Sequence, residues 1–349
     1  MSIDRSSTLK RLRAKRQGLR VAIAVTAGLC IGLFLDDPLP FLAPMFATQF
    51  LMATYRPMTL TQGVATLLII ALIGIVLVFV TALFRERPWV MAPLLWLFYL
   101  ACFAAQSWHK GGAAPALILV VGIAVPLLDI LHRDLGEWIV LLFLKAISVG
   151  TLLAWGAHAL VPDPASACPE IQLKPQYGLP LIFVQSMASA AILLGMVVLC
   201  LSDPRLATAM VIPITVASLL SQLELNMSSR AALALVIVNL LGGIAASVAF
   251  TLIELRPTLW FVALVVLLVS LLFAGGAAMS TSRGKVFGGG LITFLVLFGL
   301  GISPLPNSTP DLFFTRIVYV ICAITYALTS AALLWPSSKK NATPIVRQY

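Results

Sequence analysis

The chain has 349 residues, 60% of them hydrophobic and only 10% charged, with a mean hydropathy of +1.04. A soluble globular domain carries about 25% charged residues, so the composition excludes soluble enzymes, disordered proteins and nucleic-acid binders despite a formal net charge of +10. It is that of an all-α, polytopic integral membrane protein.

The chain opens with a basic stretch, 1–18, expected to be a cytoplasmic tail. An apolar segment without a small-residue cleavage site follows, so the reading is a retained first helix rather than a signal peptide. A helix needs about 20 apolar residues to cross the roughly 30 Å hydrocarbon layer. That rule predicts spans at 19–36, 40–55, 60–83, 89–106, 113–131 and 136–160, a first bundle of six. A polar linker, 161–180, precedes a second bundle at 181–201, 206–222, 230–253, 257–275, 286–303 and 313–335, and a tail, 336–349, ends the chain. Of the twelve, 40–55 and 206–222 are the shortest. Backbone polar groups find no water in lipid, so such runs must be helical.

The Lys/Arg bias of short loops sets orientation. With the N-terminus inside, sixteen cationic residues fall on the cytoplasmic side and five outside, which predicts cytoplasmic termini. Were 40–55 and 206–222 re-entrant hairpins, ten spans would remain with an equally lopsided count, and 161–180 would lie outside. Charge alone does not separate the two.

The halves share a pattern. Leu35-Asp36-Asp37-Pro38 ends the first span and Leu201-Ser202-Asp203-Pro204 the seventh. Each is followed by a short segment with a proline, Pro44 or Pro213, and a threonine, Thr48 or Thr215. A glycine-bearing third span comes next, with Gly74 or Gly242-Gly243, and each half closes on an arginine-led span, at Arg133 or Arg316. Six spans per half make the repeats parallel, related by an axis along the membrane normal, and substrate paths in such proteins run between repeats.

These residues carry a resemblance. The opening "LRVAIAVTAGLCIGLFLDDPLPFLAPMFATQFL", with the arginine-led "HRDLGEWIVLLFLKAISVG" and "TRIVYVICAITYALTSAALL", resembles the fusaric acid resistance and aromatic acid exporter proteins over about 19–335. It is most similar to a short bacterial branch of that family, catalogued as a domain of unknown function. The resemblance implies two six-helix bundles in the inner membrane that export small, often aromatic, organic acids. It also implies a periplasmic adaptor of the membrane-fusion type and energy from the proton gradient. Family members commonly carry a large cytosolic domain between the bundles, whereas 161–180 is only a short linker here.

No Walker A, GxSxG or HExxH motif occurs, so neither enzyme chemistry nor an ATP-driven pump is expected. Four of the five cysteines, Cys30, Cys102, Cys200 and Cys322, lie in apolar runs and only Cys168 in a polar one. That pattern suits packing and gives no metal or cofactor site. Charges at membrane depth are the informative residues, because each costs roughly 2.5–3.5 kcal/mol on insertion scales. Lys145 is the clearest, ten residues into the sixth helix with no acidic neighbour one turn away; it reads as a cation for a carboxylate substrate or as a snorkelling lysine. Arg133 and Arg316 read as pore-lining or as helix anchors. Glu224, Glu254 and Asp129 are the carboxylates available for proton coupling, each near a span end. Thr48 and Gln49, which follow Pro44, lead the uncharged polar residues as substrate ligands, since a proline frees a carbonyl one turn earlier. The tryptophans at 89, 138, 155, 260 and 335 suit an interfacial belt, and Trp96 suits packing.

The leading expectation is an efflux subunit for small organic anions that contacts lipid and, as one possibility, a second copy of itself. A passive anion channel and a non-transporting scaffold for a periplasmic partner are the alternatives.

Overall fold

The computed structural model describes residues 2–53, 57–108, 114–131, 135–162, 179–202, 211–222, 229–277, 281–303 and 310–334. Twelve helices and no strands occur among them: α1 (Ser2–Phe34), α2 (Leu42–Ala53), α3 (Leu60–Phe84), α4 (Pro88–Ser107), α5 (Ala114–Leu131), α6 (Leu135–Leu160), α7 (Leu179–Ser202), α8 (Val211–Gln222), α9 (Ser229–Leu255), α10 (Leu259–Ala277), α11 (Thr281–Gly301) and α12 (Pro310–Leu334). The chain is an all-α polytopic membrane protein. Seven helices (α1, α3, α4, α6, α7, α9 and α10) are long and apolar enough to cross a bilayer by length and composition.

Local sequence explains where the helices begin and end. Thr59 caps α3 in a capping box, accepting from the Gln62 N–H while the Gln62 side chain accepts from the Thr59 N–H, an arrangement that satisfies two otherwise orphaned donors. Pro88 opens α4 at a position where a missing N–H costs nothing. At the end of α1 the Asp37 N–H donates to Gly32 O and the Asp36 N–H to Leu33 O. Asp36 sits at φ 49°. These are the paired bonds of a Schellman stop, with Asp tolerated in the left-handed position and Pro38 just beyond. The Leu-Asp-Asp-Pro motif is therefore a helix terminator. The basic stretch 1–18 continues α1 rather than forming a separate tail, since that helix begins at Ser2.

Packing makes the duplication visible. In the first half α1 packs on α2 and α6, α2 on α6, α3 on α4, α5 and α6, α4 on α5, and α5 on α6. Every one of these pairings recurs in the second half with α7 to α12 in place of α1 to α6. The halves meet by exchange. Helix α1 lies on α10 and α4 on α7, while α2 lies on α11 and α5 on α8. A two-fold relation between parallel repeats produces such reciprocal pairs.

The short predicted spans at 40–55 and 206–222 are α2 and α8, 12 residues each and so about 18 Å long at ~1.5 Å per residue. Helix α2 is one continuous helix. It runs antiparallel to α1, with Pro40 against Gly32 at one end and the Gln17 side chain donating to Leu51 O at the other. The next helix then starts beside α6's far end, where Trp155 Nε1 donates to Met58 O at 2.8 Å. Along α2 the chain thus returns from the Gly32 end of α1 to its Gln17 end.

The four helices α2, α5, α8 and α11 form the buried centre, and α3 and α9 turn apolar residues such as Leu72, Phe79, Leu241 and Val248 outward to lipid. Small residues let the halves close: a methyl group at Gly18 of α1 would stand 3.0 Å from the Ala274 carbonyl oxygen of α10.

Candidate functional site

Two regions of the molecule bring the sequence-predicted residues together, one central and one at the edge of the first bundle.

The central region is built on α11, against which both short helices, α2 and α8, pack. In α2 the proline is the third helical residue, Pro44 after Leu42-Ala43, and in α8 Pro213 is the third residue described, after Val211-Ile212. A proline in the first turn breaks no intrahelical bond. The expectation that Pro44 frees a helix carbonyl one turn earlier is therefore corrected: the residues before the helix, 35–41, form the turn from α1. Thr48 is fully buried and its hydroxyl donates to Pro44 O at 2.8 Å, the back-bond by which threonines satisfy themselves within helices. Gln49 is half-buried, and its Oε1 is shielded from solvent with no hydrogen-bond partner among the described residues. Thr215 of α8 is buried as well. Next to this centre Thr293 of α11 donates to Asn239 Oδ1 of α9 at 2.6 Å, where Gly242 and Gly290 lie in contact.

At the edge lies Lys145. It is about 15 Å along α6 from Leu135 at ~1.5 Å per residue. Among the described side chains the acid that reaches it is Asp37, bound through Oδ1 to Nζ. The acid comes from the terminator motif, 108 residues earlier. The lysine side chain is 49% exposed and the aspartate 19%. Lys145 shares an exposed face of α6 with Leu141 and Leu152, so it stands outside the seam between the halves. The turn carrying Asp37 is held from the second half too, because the Ser303 hydroxyl at the end of α11 donates to Pro38 O.

The other predicted residues are placed as follows. Asp129 is buried on α5 and ion-paired at 3.1 Å with Arg85, just past the end of α3. The Arg85 guanidinium also donates to the Asp129 carbonyl. Glu254 is exposed in the last turn of α9. Arg133 and Glu224 lie outside the described residues, as do most of 161–180, including Cys168, and all of 336–349. Arg316 lies on α12, and its side chain is outside the description. Among the tryptophans, Trp89 and Trp260 are exposed, Trp96 packs against the core, and Trp155 is anchored to Met58 rather than free in a belt.

Sequence reasoning missed two cations at the opposite end of α1. Arg20 is 2% exposed and donates through Nε to Val161 O at 2.8 Å, and Arg16 donates to Pro162 O at 2.6 Å. Both satisfy carbonyls at the C-terminus of α6, where a positive charge is favourable. The signal was their i, i+4 spacing.

A family model described as "Protein of unknown function (DUF2955)" matches residues 17–150, from α1 through most of α6. No curated protein matches the chain. No solved structure matches it.

Proposed function

We propose that this protein is the inner-membrane subunit of an exporter for small organic, chiefly aromatic carboxylic, acids, a transporter rather than an enzyme. One observation carries the reading. The two short, proline-bearing helices α2 and α8 occupy corresponding places in the two repeats and both pack against α11 at the buried centre, and paired short segments of this kind point to the substrate site of repeat-built transporters. Gln49 then offers a carbonyl and an amide to the substrate within that centre. The resemblance to the aromatic acid exporters supplies the substrate class, the proton gradient as energy source and the periplasmic adaptor. N- and C-termini are cytoplasmic in this reading.

A passive organic-anion channel is the second reading. It is favoured by Asp129, whose carboxylate is held by Arg85 and so is poorly placed to carry a proton. Purified protein in liposomes, loaded with benzoate, separates the two. Export coupled to the proton gradient gives benzoate accumulation against its own gradient when a pH difference is imposed. A channel gives only downhill flux, unchanged by an uncoupler at zero membrane potential. No benzoate flux above protein-free liposomes removes both.

A further inference from the structure

Lys145 carries a charge on a face of α6 that is otherwise apolar, with Leu141 and Leu152 exposed beside it and Phe34 and Leu35 exposed at the adjoining end of α1. A bare cation there is costly. Asp37 removes that cost by ion pairing. The aspartate is held in place by backbone: its own N–H closes the Schellman stop, Asp36 before it accepts a left-handed conformation, and Pro38 after it is fixed by Ser303. The acid is thus anchored while the lysine, on a long flexible stem, is half-exposed.

From this geometry we propose that Lys145 and Asp37 form an exchange site for an amphiphilic monoanion, an apolar ring bearing one carboxylate. The substrate carboxylate takes the place of Asp37 on Lys145, and the ring rests on the neighbouring leucines. The inference rests on the proposed export of aromatic acids and names where such a molecule first docks. A ring dissolves in lipid and a carboxylate does not, so an aromatic acid collects at the membrane boundary. A single cation set in an apolar face suits that molecule better than it suits a dicarboxylate or a sugar. Exchange keeps the lysine paired at every stage, with one carboxylate leaving as the other arrives. Asp37 then acts as a built-in competitor. It lowers affinity, and it keeps the empty site neutral. When a substrate holds Lys145, the turn 35–41 loses its side-chain tie to α6 and keeps its backbone bonds to α1 and the tie to Ser303. Leu39 in that turn is buried and reports its movement.

The test uses the full chain in phosphatidylcholine nanodiscs, with benzoate as probe and benzamide as its neutral counterpart. Asp37→Asn should tighten benzoate binding about tenfold, within the range that coupled sites show, and Lys145→Met should abolish it. Benzamide should bind no variant. Asp36→Gly/Asp37→Asn is the companion variant, because glycine relieves the left-handed position and restores stability lost with the ion pair. In a background lacking the native cysteines, Leu39→Cys should react faster with maleimide in benzoate than in benzamide. Equal benzoate affinity in wild type and in a folded Asp37→Asn variant overturns the proposal. So does benzamide binding as well as benzoate. Weaker benzoate binding when phosphatidylglycerol replaces phosphatidylcholine would assign the site to a lipid headgroup instead, and would also overturn it. Loss of this binding with benzoate flux intact removes the edge site but leaves the central path. Absence of flux in the wild type removes the exporter reading itself.

Discussion

Arg85 and Asp129 stand 3.1 Å apart and tie the end of α3 to the end of α5, with the aspartate side chain 5% exposed and the arginine 21%. The bond joins helices whose counterparts, α9 and α11, are joined instead by Thr293 and Asn239. The same helix pairing is thus held by an ion pair in one repeat and by a neutral hydrogen bond in the other.

Breaking the ion pair from one side should be expensive, because it leaves a buried charge without a partner, at about 3–5 kcal/mol. Arg85→Leu should therefore lower the thermal midpoint in detergent more than the double variant Arg85→Leu/Asp129→Leu, which removes both charges. Asp129→Asn should keep benzoate flux if the carboxylate only clamps helices. Loss of flux at an unchanged midpoint would return Asp129 to the proton-coupling role.

Asp36 is the only non-glycine residue with positive φ among those described. Glycine adopts that conformation without steric cost, and it is the usual residue at this position of a helix stop. Asp36→Gly should stabilise the protein, read as a rise in the thermal midpoint, because the steric cost of the left-handed position, roughly 1–2 kcal/mol for an L-residue, outweighs the added freedom of glycine in the unfolded chain. A fall would mean that the Asp36 carboxylate does more than end α1.

The seam between the halves depends on a missing side chain. Gly18 meets the Ala274 carbonyl with no room for a methyl group. Backbone cannot yield as a flexible side chain can, so Gly18→Val should separate α1 from α10 and cut flux and stability together. Gly156 serves as the control, because a methyl group there would meet nothing within 4 Å. Gly156→Ala should be harmless, and slightly stabilising because α6 gains a better helix former.

Much of this fold is legible in sequence, for physical reasons that differ by element. Helix α3 is clear because 25 residues run without a charge and open on a Thr-x-x-Gln capping box. The length of α2 is not. The apolar run 40–55 includes Pro40 and Phe41, which are buried like helix residues yet belong to the turn, and hydropathy reads burial rather than backbone shape. The repeat is visible in the prolines and the terminator motif. The partner of Lys145 is hidden, since pairing across 108 residues leaves no local pattern. In sequence Asp37 reads only as part of that motif, which ends α1 and at the same time supplies the counter-ion.

Topology gives a prediction of its own. Helix α2 carries the chain from Gly32 back to Gln17 along α1, so twelve passes put 161–180 on the same side as the N-terminus. Cys168 should then be shielded from a membrane-impermeant maleimide in intact cells and react after permeabilisation. Labelling in intact cells would require ten passes and a re-entrant α2.

Thr48 and Gln49 are neighbours, and they should behave differently. The Thr48 hydroxyl is bonded to Pro44 O, so it is already satisfied and has little to offer a ligand. Valine has nearly its shape, and Thr48→Val should leave the benzoate KM unchanged, with a small loss of stability from the missing back-bond. Gln49 Oε1, by contrast, is shielded without a hydrogen-bond partner among the described residues. A buried carbonyl left in that state costs about 1–3 kcal/mol, and a substrate that donates to it recovers that cost on binding. A protonated benzoic acid or a hydroxybenzoate has such a donor, and benzoate itself does not. Gln49→Leu should therefore raise KM for 4-hydroxybenzoate more than for benzoate, while thermal stability holds or rises because the orphaned oxygen is gone. The measurement is initial flux into liposomes at matched protein content. If Gln49→Leu leaves both KM values as they were, α2 is a structural helix and the central path must be sought along α5 and α11.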